Sequence, residues 1–239
     1  MTASAAGVVV VFAKAPRPGH VKTRMVPPLS PDEAAGLYAR MLDDVLASTA
    51  RFARELDLRA VACLHPPDAC GEIACSVPSR FSVVRQRGAN LSQRMTWAAR
   101  EAAASGARRI LLRGSDSPGL DGETFARALA ALDSWDLVIC PDRDGGYNLV
   151  GMRAPVPGLF DHPMSTGSVL DDTLANARAL GLRTHVQSSS FDLDTIEDLQ
   201  WLLEQRSDSL ARLCPATLRY LDENDLWRRA GPARRRRDD

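Results

Sequence analysis

Apolar and polar positions along the chain alternate between two rhythms. Residues 7–13, GVVVVFA, form an unbroken and largely β-branched run, the pattern of a strand buried on both faces. Ser30 then precedes Pro31, and Glu33 follows three residues after the serine. This is a capping box with proline at the first helical position. Leu37, Met41, Val45, Ser48 and Phe52 continue at helical spacing, which predicts a helix over 31–54. The same alternation runs on: strands over 58–65 and 81–86, a helix over 91–104, a strand over 108–116 that ends in a polar turn, and a helix over 124–132. Strands over 136–141 and 147–152 flank a turn. A helix over 169–180, a strand over 183–187 and a helix over 195–204 complete the series.

This order implies an α/β fold: a mostly parallel sheet with helices on both faces, and an antiparallel member beside the turn "PDRDGG". In such sheets ligands lie beyond the carboxyl ends of the strands, and here the polar clusters follow strands.

The first cluster is the loop "KAPRPGHVKTRM". Pro16, Pro18 and Gly19 turn and stiffen it, while Lys14, Lys22 and Arg24 supply donors suited to a polyphosphate. Its spacing is neither a Walker P-loop nor a Gly-x-Gly-x-x-Gly dinucleotide loop. A solvated surface loop is the competing reading. With 30 basic and 30 acidic residues the chain has no global field to attract nucleic acid or an acidic membrane, so the basic loop reads as a local site.

In "LLRGSDSPGL" a strand ends, Gly114 lets the chain turn, and Asp116 is displayed beside Ser115. A carboxylate so placed can hold Mg²⁺ or simply cap a turn. "FDLDTIEDL" offers Asp192 and Asp194 in alternation, able to face one side, followed by a Thr195–Asp198 capping box. A metal shared by Asp116, Asp192 and Asp194 accounts for the acids that capping leaves over, with the basic loop facing it across a phosphate chain.

"PDRDGGYNLVG" brings Asp144, Gly145, Gly146 and Tyr147, read either as a hairpin turn or as backbone passing close to an acceptor. Ser165 and Thr166 precede a helix, as caps or as hydroxyls for an anion. Gln86, Gly88 and Arg94 follow a strand and suit either polar selection of a base or acceptor, or ordinary loop and helix-surface duty.

Five cysteines without a regular framework, and no segment resembling a signal peptide or a membrane span, lead us to expect a reduced cytoplasmic chain. Cys63, His65, Cys70 and Cys75 lie close in sequence, but their spacing matches no standard zinc knuckle.

The ordered stretches "FAKAPRPGHVKTRM", "QRGANLSQRM", "GSDSP", "PDRDGGYNLVG", "STGSVLDDT" and "DLDTIEDL" resemble the DUF2064 branch of the GT-A nucleotide-diphospho-sugar transferase superfamily, over residues 8–205. They are also similar to the phospholactate and phosphoenolpyruvate guanylyltransferases. The resemblance implies a three-layer α/β/α Rossmann-like domain over 1–205 that binds a nucleotide with Mg²⁺ (or Mn²⁺), with 206–239 as a helical appendage and basic tail. It makes Lys14, Lys22 and Arg24 phosphate ligands and Asp116, Asp192 and Asp194 metal ligands. The chain departs from the family at Met164, where tryptophan commonly stands before Ser-Thr.

Three activities compete on this reading. In nucleotidyl transfer, a small phosphorylated or carboxylated acceptor attacks an NTP while Lys22, Arg24 and an Asp116-held metal manage the charge. Glycosyl transfer from an NDP-sugar would use Asp144 as base, and the third option is nucleotide binding without turnover. The basic loop favours the first, because a pyrophosphate leaving group needs cations.

Overall fold

The computed structural model describes residues 7–74, 76–164 and 166–229. Among the described residues seven strands form one sheet: β1 (Gly7–Lys14), β2 (Leu58–His65), β3 (Phe81–Arg85), β4 (Ile110–Arg113), β5 (Leu137–Pro141), β6 (Tyr147–Met152) and β7 (Thr184–Val186). Their order is β3-β2-β1-β4-β6-β5-β7. Only β6 runs against its neighbours β4 and β5, and the other pairings are parallel. The expected mixed, mostly parallel α/β/α architecture is therefore present, and the antiparallel member is the strand after "PDRDGG".

The continuous apolar run of β1 is explained by its central place. Val9 and Val11 face one core with Tyr38, Val45 and Phe52 of α1 (Pro31–Glu55), whereas Val8 and Val10 face the other. That second core holds Met95 and Ala98 of α3 (Leu91–Ala104) and Ala177 of α5 (Val169–Ala179). The remaining helices are short α2 (Cys70–Ala74), α4 (Gly122–Ala131), α6 (Ile196–Glu204), α7 (Asp208–Leu213), α8 (Pro215–Glu223) and α9 (Leu226–Arg229). α1 starts at the expected capping box: Ser30 accepts from the Glu33 N–H, and Glu33 accepts from the Ser30 N–H at 2.8 Å. α4 begins two residues earlier than the periodicity suggests, because Asp121 accepts from the Thr124 N–H and caps it.

A third apolar cluster joins the amino-terminal loop and α1 to the last helices. Met25, Leu29, Leu37 and Met41 pack with Leu202, Leu218 and Leu221. Asp44, in the middle of α1, accepts from the N–H groups of Ala216 (3.0 Å) and Thr217 (2.7 Å) and from the Thr217 hydroxyl (2.7 Å), fixing the start of α8. The arginine-rich stretch 234–237 lies outside the described residues. No described helix is long and apolar enough to cross a membrane.

Candidate functional site

The carboxyl ends of β1, β3 and β4, together with the β5–β6 turn and the segments before α5 and α6, enclose a cavity of about 690 Å³. Lys14, Lys22 and Arg24 line it from the first loop, and Ser115 and Asp116 from the loop after β4. Gln86 and Arg94 lie on one flank; Asp144, Gly146, Tyr147, Thr166, Asp192 and Asp194 belong to the other parts of the lining. Gly19, Gly88 and Gly145 do not line it. Ser165 lies outside the described residues.

Local structure explains these placements. Arg17 pairs with Asp68 (3.0 Å) and Glu72 (2.8 Å), tying the first loop to the segment after β2. Lys22 holds a left-handed backbone, φ +48° and ψ +37°, an uncommon conformation for a residue with a Cβ. From there its side chain, only 2% exposed, reaches inward. The ammonium donates to Asp116 Oδ1 and to Asp194 Oδ1, the second at 2.7 Å, and Arg24 Nη1 stands 3.8 Å from Asp194 Oδ2. Burial opposes the charge on Lys22, but the two carboxylates outweigh it and raise its pKa above the usual lysine value. Burial likewise works against the Asp194 carboxylate, and Lys22 overcomes it, holding that carboxyl below its ordinary range.

The two acid-bearing loops are joined directly, since the Leu193 N–H donates to Asp116 O at 2.9 Å. Leu193 is fully buried while Asp192 and Asp194 line the cavity, as the alternation in "FDLD" suggests. Among the described residues Asp192 has no comparable cation. Burial first, then Asp194 and Asp142, push its carboxyl up to about 7. One carboxylate oxygen from each of Asp192, Asp144 and Asp198 lies within 4.8 Å of the other two. Asp198 Oδ2 is already engaged, accepting from the Asp194 and Thr195 N–H groups at 3.0 and 2.7 Å. Carboxylate oxygens are the donors that Mg²⁺ and Mn²⁺ prefer; of the three expected ligands, Asp116 and Asp194 accept from Lys22, and Asp192 groups with Asp144 and Asp198.

Several lining residues escaped the sequence reading. Tyr38 reaches up from α1: its hydroxyl accepts the Lys14 N–H at 2.9 Å and lies 2.7 Å from Ser115 Oγ, bridging the loops after β1 and β4. Burial, then the Asp116 charge, push this phenol up to about 12. Asp142 accepts from the N–H groups of Asp144 (3.0 Å) and Gly146 (2.7 Å), shaping the turn, and burial raises its pKa despite those bonds. The i, i+2, i+4 spacing in "DRDGG" was the available signal. Arg113 is fully buried at the end of β4, donating to Ser117 O (2.8 Å) and Thr49 Oγ1 (2.9 Å), and burial lowers its pKa to about 9. It pins the loop that carries Asp116, and nothing in "LLR" sets it apart from a strand-end arginine. Gly145 is explained by packing rather than exposure to the cavity. It has φ +85°, and a Cβ there would lie 2.1 Å from Gly167 O, on the segment leading into α5.

Residues 46–166 match the family described as "Uncharacterized protein conserved in bacteria (DUF2064)". The chain belongs to this family. A phosphoenolpyruvate guanylyltransferase of Sphaerobacter thermophilus is 30% identical over 76% of this chain and 86% of its own length. A 2-phospho-L-lactate guanylyltransferase of Methanothermobacter thermautotrophicus is 27% identical over 84% and 86%. Among solved structures, a Desulfovibrio desulfuricans G20 protein assigned as a nucleotide-diphospho-sugar transferase superposes with a TM-score of 0.83 at 32% identity, over 93% of this chain and 96% of its own. The 4-diphosphocytidyl-2C-methyl-D-erythritol synthase of Anaerococcus prevotii shares the fold at 12% identity, with a TM-score of 0.54 over 84% of this chain and 97% of its own. The DUF2064 chain is thus built on the GT-A-like frame of these neighbours.

Proposed function

We propose that this DUF2064 protein is a metal-dependent nucleotidyltransferase, with GTP as donor and a small phosphorylated or carboxylated molecule as acceptor. The observation that carries the reading is the Lys22 ammonium seated between Asp116 and Asp194, with Lys14 and Arg24 lining the same cavity. Cations from one loop and acids from two others meet where a triphosphate would lie. The names of the two guanylyltransferase relatives support both the reaction type and the base.

On this reading an acceptor oxygen attacks the α-phosphorus, the bond from the α-phosphorus to the bridging oxygen breaks, and pyrophosphate leaves with that oxygen. A phosphate or carboxylate acceptor is already ionised, so no proton has to be removed. Lys22 and Arg24 stabilise the charge that gathers on the leaving phosphates, and Lys14 holds the chain in line. Asp116, Asp192 and Asp194 would hold Mg²⁺, which supplies Lewis-acid polarisation of the phosphate oxygens when bound. Tyr38 and Arg113 keep the Ser115–Ser117 backbone, and with it Asp116, in place.

The test is incubation with GTP, Mg²⁺ and a pool of phosphorylated and carboxylated small acids. Pyrophosphate release that depends on the acceptor is the expected result; binding without release removes the reading. The Desulfovibrio neighbour's name supports a second reading, glycosyl transfer. That reading calls for NDP release from an NDP-sugar instead, with Asp144 as the base that takes the acceptor proton.

A further inference from the structure

Gln86 stands at the end of β3, on the flank of the cavity away from the carboxylates. It is 7% exposed. Its backbone N–H donates to Leu64 O at 2.9 Å, and its side-chain Nε2 donates to Cys63 O at 2.9 Å and to Ala13 O at 3.4 Å. Both carbonyls can only accept, so they fix which end of the amide is nitrogen. The remaining end, Oε1, accepts nothing from any described residue, although the side chain lines the cavity. Oε1 is therefore a fixed acceptor that is not sealed inside the protein and is open to a donor entering the cavity.

The surroundings indicate what enters. Phe12, Leu91 and Met95 give this flank apolar walls suited to a flat ring. Arg94, in the first turn of α3, has its Nε tied to Gly88 O at 3.1 Å and brings further guanidinium donors to the same cavity. The acids lie elsewhere, on the loop after β4, the β5–β6 turn and the segment before α6.

We infer that Gln86 reads the nucleobase, with Oε1 accepting from the N1–H and 2-amino edge of guanine while Arg94 serves the acceptors O6 and N7 of the same ring. This specificity role rests on the nucleotidyltransferase reading above. A site built around a fixed hydrogen-bond partner discriminates strongly against a ligand that lacks the matching group.

The experiment measures binding by calorimetry, in Mg²⁺, of GTP, CTP, ITP (no 2-amino group), 1-methyl-GTP (no N1–H) and inorganic tripolyphosphate (no base). The wild-type protein is expected to bind GTP more tightly than CTP and than tripolyphosphate. At least one of the two guanine analogues is expected to lose about tenfold or more. In Gln86→Met, GTP should fall to the level of that analogue while tripolyphosphate binding is unchanged. A merely structural role would lower GTP and tripolyphosphate together, and that result overturns the inference. So does wild-type binding of both analogues as tightly as GTP, or a preference for CTP, and these arms need no variant to fold. If the wild-type protein binds neither GTP nor tripolyphosphate, the nucleotidyltransferase reading itself fails.

Discussion

Replacing Lys22 with methionine keeps the reach of the side chain and removes its charge from between Asp116 and Asp194. Opposite charges about 4 Å apart attract by about 4 kcal/mol at an effective dielectric near 20, and breaking a fully buried pair costs about 3–5 kcal/mol. Here the ammonium is sealed, but the Asp116 and Asp194 side chains remain 45% and 32% exposed. Water therefore screens the acids once the lysine is gone, which reduces the expected loss to about 1–3 kcal/mol. For a chain of this size that corresponds to a fall in Tm of roughly 3–10 °C. The assay is a thermal melt in chelator, repeated across a Mg²⁺ titration without nucleotide. In the wild-type protein Mg²⁺ must compete with the tethered ammonium, so Mg²⁺ alone should raise Tm only slightly. In the variant the same ion meets uncompensated carboxylates and should restore much of the lost stability. Triphosphate binding should move the other way, weakening by about 10–100-fold through loss of a charged donor. An identical Mg²⁺ response in the two proteins, or no loss of Tm in chelator, would show that Lys22 is not the counter-ion of these acids.

Other substitutions probe separate parts of the structure. Asp116→Asn should abolish pyrophosphate release and the Mg²⁺-dependent part of nucleotide stabilisation; turnover at the wild-type rate would remove Asp116 from the metal site. Asp44→Ala strips three hydrogen bonds from the start of α8 and should cost about 1–3 kcal/mol in urea unfolding, with kcat unchanged. Gly145→Ala forces a Cβ against Gly167 O at φ +85°, so acceptor KM should rise more than nucleotide Kd, because the strain falls on the segment before α5. Glu33→Ala should cost about 1 kcal/mol at pH 7. The Ser30 N–H holds the Glu33 carboxyl below its ordinary pKa, despite opposing burial, so its contribution is present above the unfolded value and lost as pH falls through the folded one. The stability gap between the two proteins should therefore close in acid, and a gap that persists at low pH would assign it to packing instead.

Much of this protein was determined by its sequence alone, for local reasons. The β-branched run of β1, the Ser30–Glu33 and Thr195–Asp198 boxes and the helical spacing of 91–104 act over a few residues, and each element formed within a residue or two of its expected limits. The alternation in "FDLD" already separated the two aspartates from the buried leucine. Tertiary structure decided the rest, because contacts between residues far apart in the chain leave no periodic trace. Nothing near Tyr38 announces that its hydroxyl would join the loops after β1 and β4. The meeting of Lys22 with Asp116 and Asp194, 94 and 172 residues away, exists only because the sheet order sets β1 beside β4 and the Leu193–Asp116 hydrogen bond draws the last acid loop over them. Gly145 shows the same division: its sequence marks a turn, but the carbonyl that forbids a side chain there comes from Gly167.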